Sequence, residues 1–271
     1  MNKVFALFAI LLSCLPGKSG AETPSLPSPD VVSSLAPGGR LRAAINFGNP
    51  VLAQKDPDNG QPRGVSADLA QELAHRLGVA IDFVTFDGAG KVFDALATGA
   101  WDVAFLAIDP VRAAEIDFTP PYVIIEGTYL VPAQSSLLAI EDVDRPGIRI
   151  AVGRGSAYDL FLTRTLTSAQ LIRAPTSAAA IALFQNDKLE AVGGVKQPLL
   201  AAAASNPALR VIPGRFMAIE QAMGIPKGRD AGARYLHSFV EEMKSSGFIA
   251  KALAASGQTD ATVAPPERGL H

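Results

Sequence analysis

The chain has 271 residues, 48% of them hydrophobic and 18% charged, with a formal net charge of −2. Such mild acidity offers no basic face for nucleic acid. The one cysteine, Cys14, excludes a disulfide framework, and the three histidines share no ligand spacing that would hold zinc. Met1-Asn2-Lys3 is a short basic start, Val4 to Leu15 is almost wholly apolar, and small residues stand at Ser19 and Ala21. This is the layout of a secretory signal peptide, residues 1–21, cut after Ala21. The apolar run is well short of the roughly 20 residues that span a bilayer. Leu11-Leu12-Ser13-Cys14 loosely matches a lipoprotein box, but Leu12 is bulky where a small residue is usual. The expectation is a soluble periplasmic protein, with a lipid anchor at Cys14 as the alternative. Cleavage after Ala21 would remove Lys3 and Lys18 and move the charge to −4.

Residues 22–39, rich in Pro and Ser, read as a mobile leader, and residues 257–271, with two adjacent prolines, as a disordered tail. Between them strand-like and helix-like stretches alternate. Leu41 to Ile45 reads as a strand, followed by a turn-rich loop at Asp56-Pro57-Asp58-Asn59-Gly60. Ser66 is expected to cap a helix that ends at Gly78, with Leu69, Leu73 and Leu77 on one face and Glu72 and Arg76 as an i,i+4 pair. Ala80 to Thr85 is strand-like, Lys91 to Thr98 a helix stopped by Gly99, and Trp101 to Ile108 a buried strand. An extended stretch, Tyr122 to Pro132, separates this set from a second one. There, strands are expected at 149–152 and 190–195, and helices at 158–166, 177–185 and 231–246. Alternation of this kind implies mainly parallel sheets with helices on both faces, here as two α/β lobes. Small molecules bind at the carboxyl ends of such strands.

The residue types of catalysis are thin. Gly153-Arg154-Gly155-Ser156-Ala157 has neither the spacing of a nucleophile elbow nor the Gly-Lys-Ser/Thr of a phosphate loop. It is a strand-to-helix turn whose N–H groups either hold an anion or form an ordinary capped loop. Asp109-Pro110-Val111-Arg112 follows the apolar strand. Asp109 is a natural cap and Pro110 suits a first helical turn. Arg112 then either grips a carboxylate with two parallel hydrogen bonds or pairs with Glu115 in solvent.

The order of segments resembles the bacterial extracellular solute-binding proteins of family 3, the periplasmic polar-amino-acid type serving ABC transporters. The resemblance rests on Leu41-Arg42, on Gly64-Val65-Ser66-Ala67-Asp68-Leu69-Ala70, and on Asp94 to Val103, which is similar to the family's L-x-x-G-x-x-D-V. It continues through Pro110-Val111-Arg112 to Asp117-Phe118-Thr119-Pro120-Pro121-Tyr122. The resemblance implies the type II periplasmic-binding-protein fold, with two hinge strands and a ligand cleft between lobes that close like a trap. Residues 40–131 and 216–256 would form lobe 1, and residues 132–215 lobe 2. It implies that Arg112 grips a ligand carboxylate and that the Gly155-Ser156 turn donates N–H groups to it.

Departures from the family pattern fall at the expected pocket. Val195 and Lys196 stand where an acid usually meets the ligand's ammonium, and an unpaired ammonium in a closed cleft is costly. Ala107 replaces a Ser, Asp109 replaces a Thr, and Asn46-Phe47-Gly48-Asn49-Pro50 replaces an aromatic-rich loop. The expected ligand-binding residues are therefore Arg112, Asp109, Ser156, Gly155, Phe47, Asn49, Ala107 and Lys196, with no metal and no cofactor. The expected function is capture of a small carboxylate-bearing solute, amino-acid-like or an organic acid, by a monomer that feeds an ABC transporter permease in the inner membrane. Two alternatives share the scaffold. One is a cyclohexadienyl-dehydratase-like enzyme using Glu220 or Asp109 as general acid; the other is a periplasmic sensory module.

Overall fold

The structure, a computed structural model, describes residues 27–267. The expected signal peptide, its cut and Cys14 lie outside the described residues. The stretch expected to be a mobile leader instead contains a helix, α1 (Pro29–Leu35), whose N-cap Ser28 accepts from Val31 N–H. Leu35 is fully buried, and Ser34 Oγ donates to Arg229 O while accepting from Gly232 N–H. Reading Pro and Ser as punctuation missed that both favour a helix start.

The first lobe builds from β1 (Arg40–Asn46), a short pair β2 (Gln54–Lys55) and β3 (Pro62–Arg63), α2 (Val65–Leu77), β4 (Ala80–Phe86), α3 (Ala89–Asp94) and β5 (Val103–Ala107). Leu69, Leu73 and Leu77 are buried on one face of α2, and Gly78 closes the helix in the left-handed conformation, φ 67°. Arg76 bonds Glu72 at 2.8 Å and also clasps Glu242. Ser66 is not the cap: Gly64 holds that position, and the buried Ser66 hydroxyl meets Tyr122 Oη at 3.2 Å. α3 tightens into a 3-10 turn at Ala95–Thr98, stopped by left-handed Gly99.

After β6 (Ile116–Phe118) the chain runs through the ten-residue β7 (Val123–Pro132) into the second lobe. That lobe contains β8 (Arg149–Gly153), α4 (Ala157–Thr165), β9 (Gln170–Ala174), α5 (Ser177–Asn186), β10 (Ala191–Val195), α6 (Lys196–Ser205) and β11 (Leu209–Val211). β12 (Met217–Pro226) returns to the first lobe, followed by α7 (Asp230–Ser245), α8 (Phe248–Ala255) and β13 (Thr262–Val263). The strands lie in the order β4-β1-β5-β12-β7-β10-β8-β9. β4, β1 and β5 are parallel, as are β10, β8 and β9, while β12 and β7 run antiparallel between the two sets.

β7 changes partner at Gly127, which pairs Met217 of β12 on one side and Val195 of β10 on the other. The crossing thus comes before the Val131–Pro132 boundary expected from sequence. A Cβ on Gly127 would lie 2.9 Å from both Met217 Cγ and Phe216 Cε2. The Phe216 ring packs on Tyr129 at 4.6 Å and Phe161 at 6.0 Å, so an aromatic cluster lies over the crossing. The expected disordered tail is partly ordered: β13 pairs β7, Ala264 is buried, and Ala264 N–H donates to Tyr122 O. Its polar, Pro-rich composition hid a strand whose partner lies far away in sequence. Among the described residues no helix is long and apolar enough to cross a membrane.

Candidate functional site

The carboxyl end of β5 is fully apolar, and the chain must turn sharply there to reach β6. Asp109 organises that turn: its Oδ1 accepts from Val111 N–H at 2.9 Å and its carbonyl from Ala113 N–H. Only a three-residue 3-10 turn, Arg112–Ala114, follows, so Asp109 acts in a tight turn rather than capping an α-helix. Arg112 does not pair with Glu115 in solvent. It is turned inward and 1% exposed.

Nη1 of Arg112 donates to Ala107 O and Nη2 to Gly155 O, each at 2.9 Å, while Nε has no partner among the described residues. Among the described residues no carboxylate lies within ion-pair distance, and burial lowers the Arg112 pKa well below the ordinary guanidinium value, to about 10, partly countered by the charge of Asp109. Asp109, 4% exposed, pairs instead with Arg164 of α4 at 2.7 Å.

Arg112 and Asp109 belong to the first lobe; Gly155 and Arg164 belong to the second. A third contact between the lobes is backbone on backbone. A Cβ on Gly155 (φ +65°) would lie 2.8 Å from Gly90 Cα, and one on Gly90 would lie 2.9 Å from Arg154 O. The lobes are therefore closed on each other at the carboxyl ends of β5 and β8.

Between them lies an inner recess of about 40 Å3, whose walls include Asn46, Asn49, Ala107, Arg112, Arg154, Ser156 and Gln221. Beside it opens a cavity of about 370 Å3, whose walls include Phe47, Pro50, Asp87, Ile181, Pro198 and Leu199. Gly48, Tyr158, Thr176, Ser177 and Val195 line both spaces. Asn49 is 8% exposed, and its Oδ1 has no partner among the described residues. Tyr158 is buried and donates its hydroxyl to Ser177 Oγ at 2.7 Å.

Arg112, Ala107, Asn49 and Ser156 thus share the recess, and Phe47 lines the adjoining cavity. The rest differ from expectation. Lys196 lines neither space; its Nζ bonds Glu126 Oε2 at 2.7 Å, beside a second pair from Arg215 to Glu126. Placed at the start of α6 opposite β7, its long side chain reaches the crossing strand instead of the cleft. The Gly155-Ser156 turn does not present free N–H groups. Gly155 N–H donates to Asp159 Oδ2, Ser156 N–H to Gly153 O, and Ser156 Oγ caps α4 by accepting from Asp159 N–H. Gly155 contributes its carbonyl, and contributes it to Arg112. Asp109 lines neither space and Glu220 is exposed, so neither stands as a general acid facing the cavity.

Sequence reasoning overlooked Gly90, Tyr158, Arg164 and Gln221. Gln221 carried a signal, being with Glu220 one of two polar residues in the otherwise apolar stretch Ile219 to Ile225, and it is 5% exposed. Arg164 and Gly90 carried none, because each acts only through a partner on the other lobe.

Comparison with known proteins agrees with this architecture. The chain is 20% identical over 259 residues to the ABC transporter glutamine-binding protein GlnH of Bacillus subtilis, an alignment covering 91% of this chain and 94% of that one. Among solved structures, an amino acid ABC transporter substrate-binding protein of Streptococcus pneumoniae bound to L-arginine superimposes with a TM-score of 0.71 at 21% identity, covering 86% of this chain and 99% of that one. The L-cysteine solute receptor of Neisseria gonorrhoeae gives 0.73 at 21% identity, covering 83% and 93%. These are two-lobed type II binding proteins, and this chain has their fold. The bacterial extracellular solute-binding protein family 3 model matches residues 41–256, and the chain belongs to that family.

Proposed function

We propose that this solute-binding protein captures a small carboxylate-bearing ligand in the periplasm and delivers it to the permease of an ABC importer. It acts as a monomer, without nucleic acid and without turnover. The observation that carries the ligand class is Arg112: a guanidinium 1% exposed, with no carboxylate partner and no partner for Nε among the described residues, on the wall of the recess between the lobes. A buried charge is ordinarily paired, and a planar guanidinium suits a carboxylate. Relatives that bind glutamine, arginine and cysteine, all of which carry a carboxylate, support the same class.

The test is a thermal-shift panel of L-amino acids and small monocarboxylates on protein lacking residues 1–21. A ligand bound only by the folded chain raises its melting temperature. At least one carboxylate should do so, and Arg112→Ala should abolish the rise. A response retained by Arg112→Ala would refute the assignment.

A further inference from the structure

An α-amino acid brings two charges into a closed cleft, and each needs a partner there. The walls around Arg112 supply partners of one sign only. The inner recess is lined by Arg112 and Arg154 and, among the described residues, by no acid. Among the described residues the adjoining cavity has a single acid, Asp87, whose side chain is 62% exposed and bonded to Lys91 Nζ at 2.7 Å. The buried acids nearby are also taken: Asp109 by Arg164, and Asp159 by Arg173 and by Gly155 N–H. Besides the exposed and already paired Asp87, an ammonium group entering this cleft would find only neutral acceptors among the described residues. Asn49 Oδ1, buried and unpartnered, suits a hydroxyl or another neutral donor.

Away from Arg112 the cleft is mainly apolar. Phe47, Pro50, Ile181, Val195, Pro198 and Leu199 wall the cavity of about 370 Å3, within the ~300–1,000 Å3 range of small-molecule sites. The recess of about 40 Å3 has room for a carboxyl group and little more. The larger space beside it suits an apolar body of several carbons.

Building on the carboxylate reading of Arg112, we infer that the preferred ligand is a carboxylate with an apolar tail and no ammonium group, either unsubstituted or bearing a hydroxyl beside the carboxylate. The cleft discriminates against amino acids by withholding a buried countercharge, so that the ammonium is desolvated with little compensation.

The experiment compares matched probes on the wild-type protein lacking residues 1–21, by isothermal titration calorimetry with thermal shift alongside. The probes are 3-phenylpropanoate, 3-phenyllactate, L-phenylalanine and 2-phenylethylamine, with 4-methylpentanoate and L-leucine as an aliphatic pair. The expected result is that the unaminated acids bind at least tenfold more tightly than their amino-acid counterparts, and that the amine gives no response. Equal or tighter binding of L-phenylalanine or L-leucine overturns this inference and leaves the carboxylate reading standing. Binding of 2-phenylethylamine as tight as that of 3-phenylpropanoate overturns the carboxylate reading itself. No response to any of the three unaminated acids also overturns the inference.

Discussion

Replacing Arg112 with methionine should separate what the guanidinium costs the fold from what it contributes to binding. Methionine keeps an unbranched body of similar reach and removes the charge. Because burial lowers the pKa of Arg112 well below the ordinary guanidinium value, to about 10, keeping it charged inside the protein costs on the order of 3 kcal/mol at neutral pH. Its bonds to Ala107 O and Gly155 O return about 1.5–3 kcal/mol each. These contributions largely offset one another, so the ligand-free variant should lose no more than about 3 kcal/mol of stability. The pH dependence is sharper. A base whose folded pKa lies below its unfolded value binds fewer protons when folded, so its destabilising effect is present at neutral pH and relieved as pH rises above the folded value. Between pH 8 and 11 the wild type should therefore gain about 1.4 kcal/mol relative to Arg112→Met.

Urea unfolding followed through Trp101 provides the assay, since this is the only tryptophan and it is fully buried. A gap between wild type and variant that stays flat or narrows at pH 11 would refute the claim that Arg112 is held charged against desolvation. In parallel, the variant should lose the thermal response to every carboxylate that stabilises the wild type.

Three further outcomes are expected. Gly90→Ala puts a Cβ 2.9 Å from Arg154 O and 3.2 Å from Gly155 Cα, which should penalise closure by about 1–3 kcal/mol. The unliganded melting temperature should hold, because alanine favours α3; calorimetry should show affinity down about 5- to 150-fold, and small-angle scattering should show less compaction with ligand. Arg164→Ala leaves the Asp109 carboxylate without its cross-lobe partner. The expected loss of affinity is at least about tenfold, and unchanged binding would mean that the pair does not contribute to closure. Asp102 is fully buried and bonded by Arg42 at 2.7 Å and Arg229 at 3.2 Å, so Asp102→Asn should cost about 3–5 kcal/mol in urea melts. Burial pushes the Asp102 pKa up, but the two arginines and the Arg42 N–H more than offset this and hold it below the usual carboxylate value. Its stabilisation is therefore complete above about pH 4 and lost as pH falls through the lowered value. An acid titration should show a flatter limb for the variant.

How far these features were legible in sequence depended on how local their causes are. The leucines of α2, the left-handed stops at Gly78 and Gly99, and the apolar run of β5 follow from periodicity and backbone preference within a few residues. The burial of Arg112 was not fixed by its place just past a buried strand, which equally allowed a solvent pair with Glu115; the family resemblance favoured the cleft. Lys196 was misread because sequence position fixes where a helix starts but not which way a long side chain reaches, and Glu126, 70 residues away, decided that. The Gly155-Ser156 turn was half read: its capping role was visible, but the demand of Asp159 for the Gly155 N–H arises from three-dimensional contact. α1 and β13 were missed because each is stabilised by distant partners, α7 and β7.

The same distinction bears on how the cleft achieves selectivity. Its closed arrangement is held largely by the chain's own groups: Gly90 against Gly155, Arg112 on the Gly155 carbonyl, and Asp109 on Arg164. Apparent affinity is reduced by the fraction of molecules that are not binding-competent, so contacts that favour closure lessen that penalty for every ligand alike. They strengthen binding without choosing among solutes. Choice is left to the cleft groups without a partner among the described residues, Arg112 Nε and Asn49 Oδ1, and to the apolar walls beside them. Substitutions in the first set should therefore scale all affinities together, whereas substitutions in the second should reorder them. Measuring Arg164→Ala and Asn49→Leu against 3-phenylpropanoate and 3-phenyllactate would separate the two roles. The ratio of the two affinities should hold in Arg164→Ala and shift toward the unhydroxylated acid in Asn49→Leu, and a ratio that moves equally in both would show that closure and selection are not separable here.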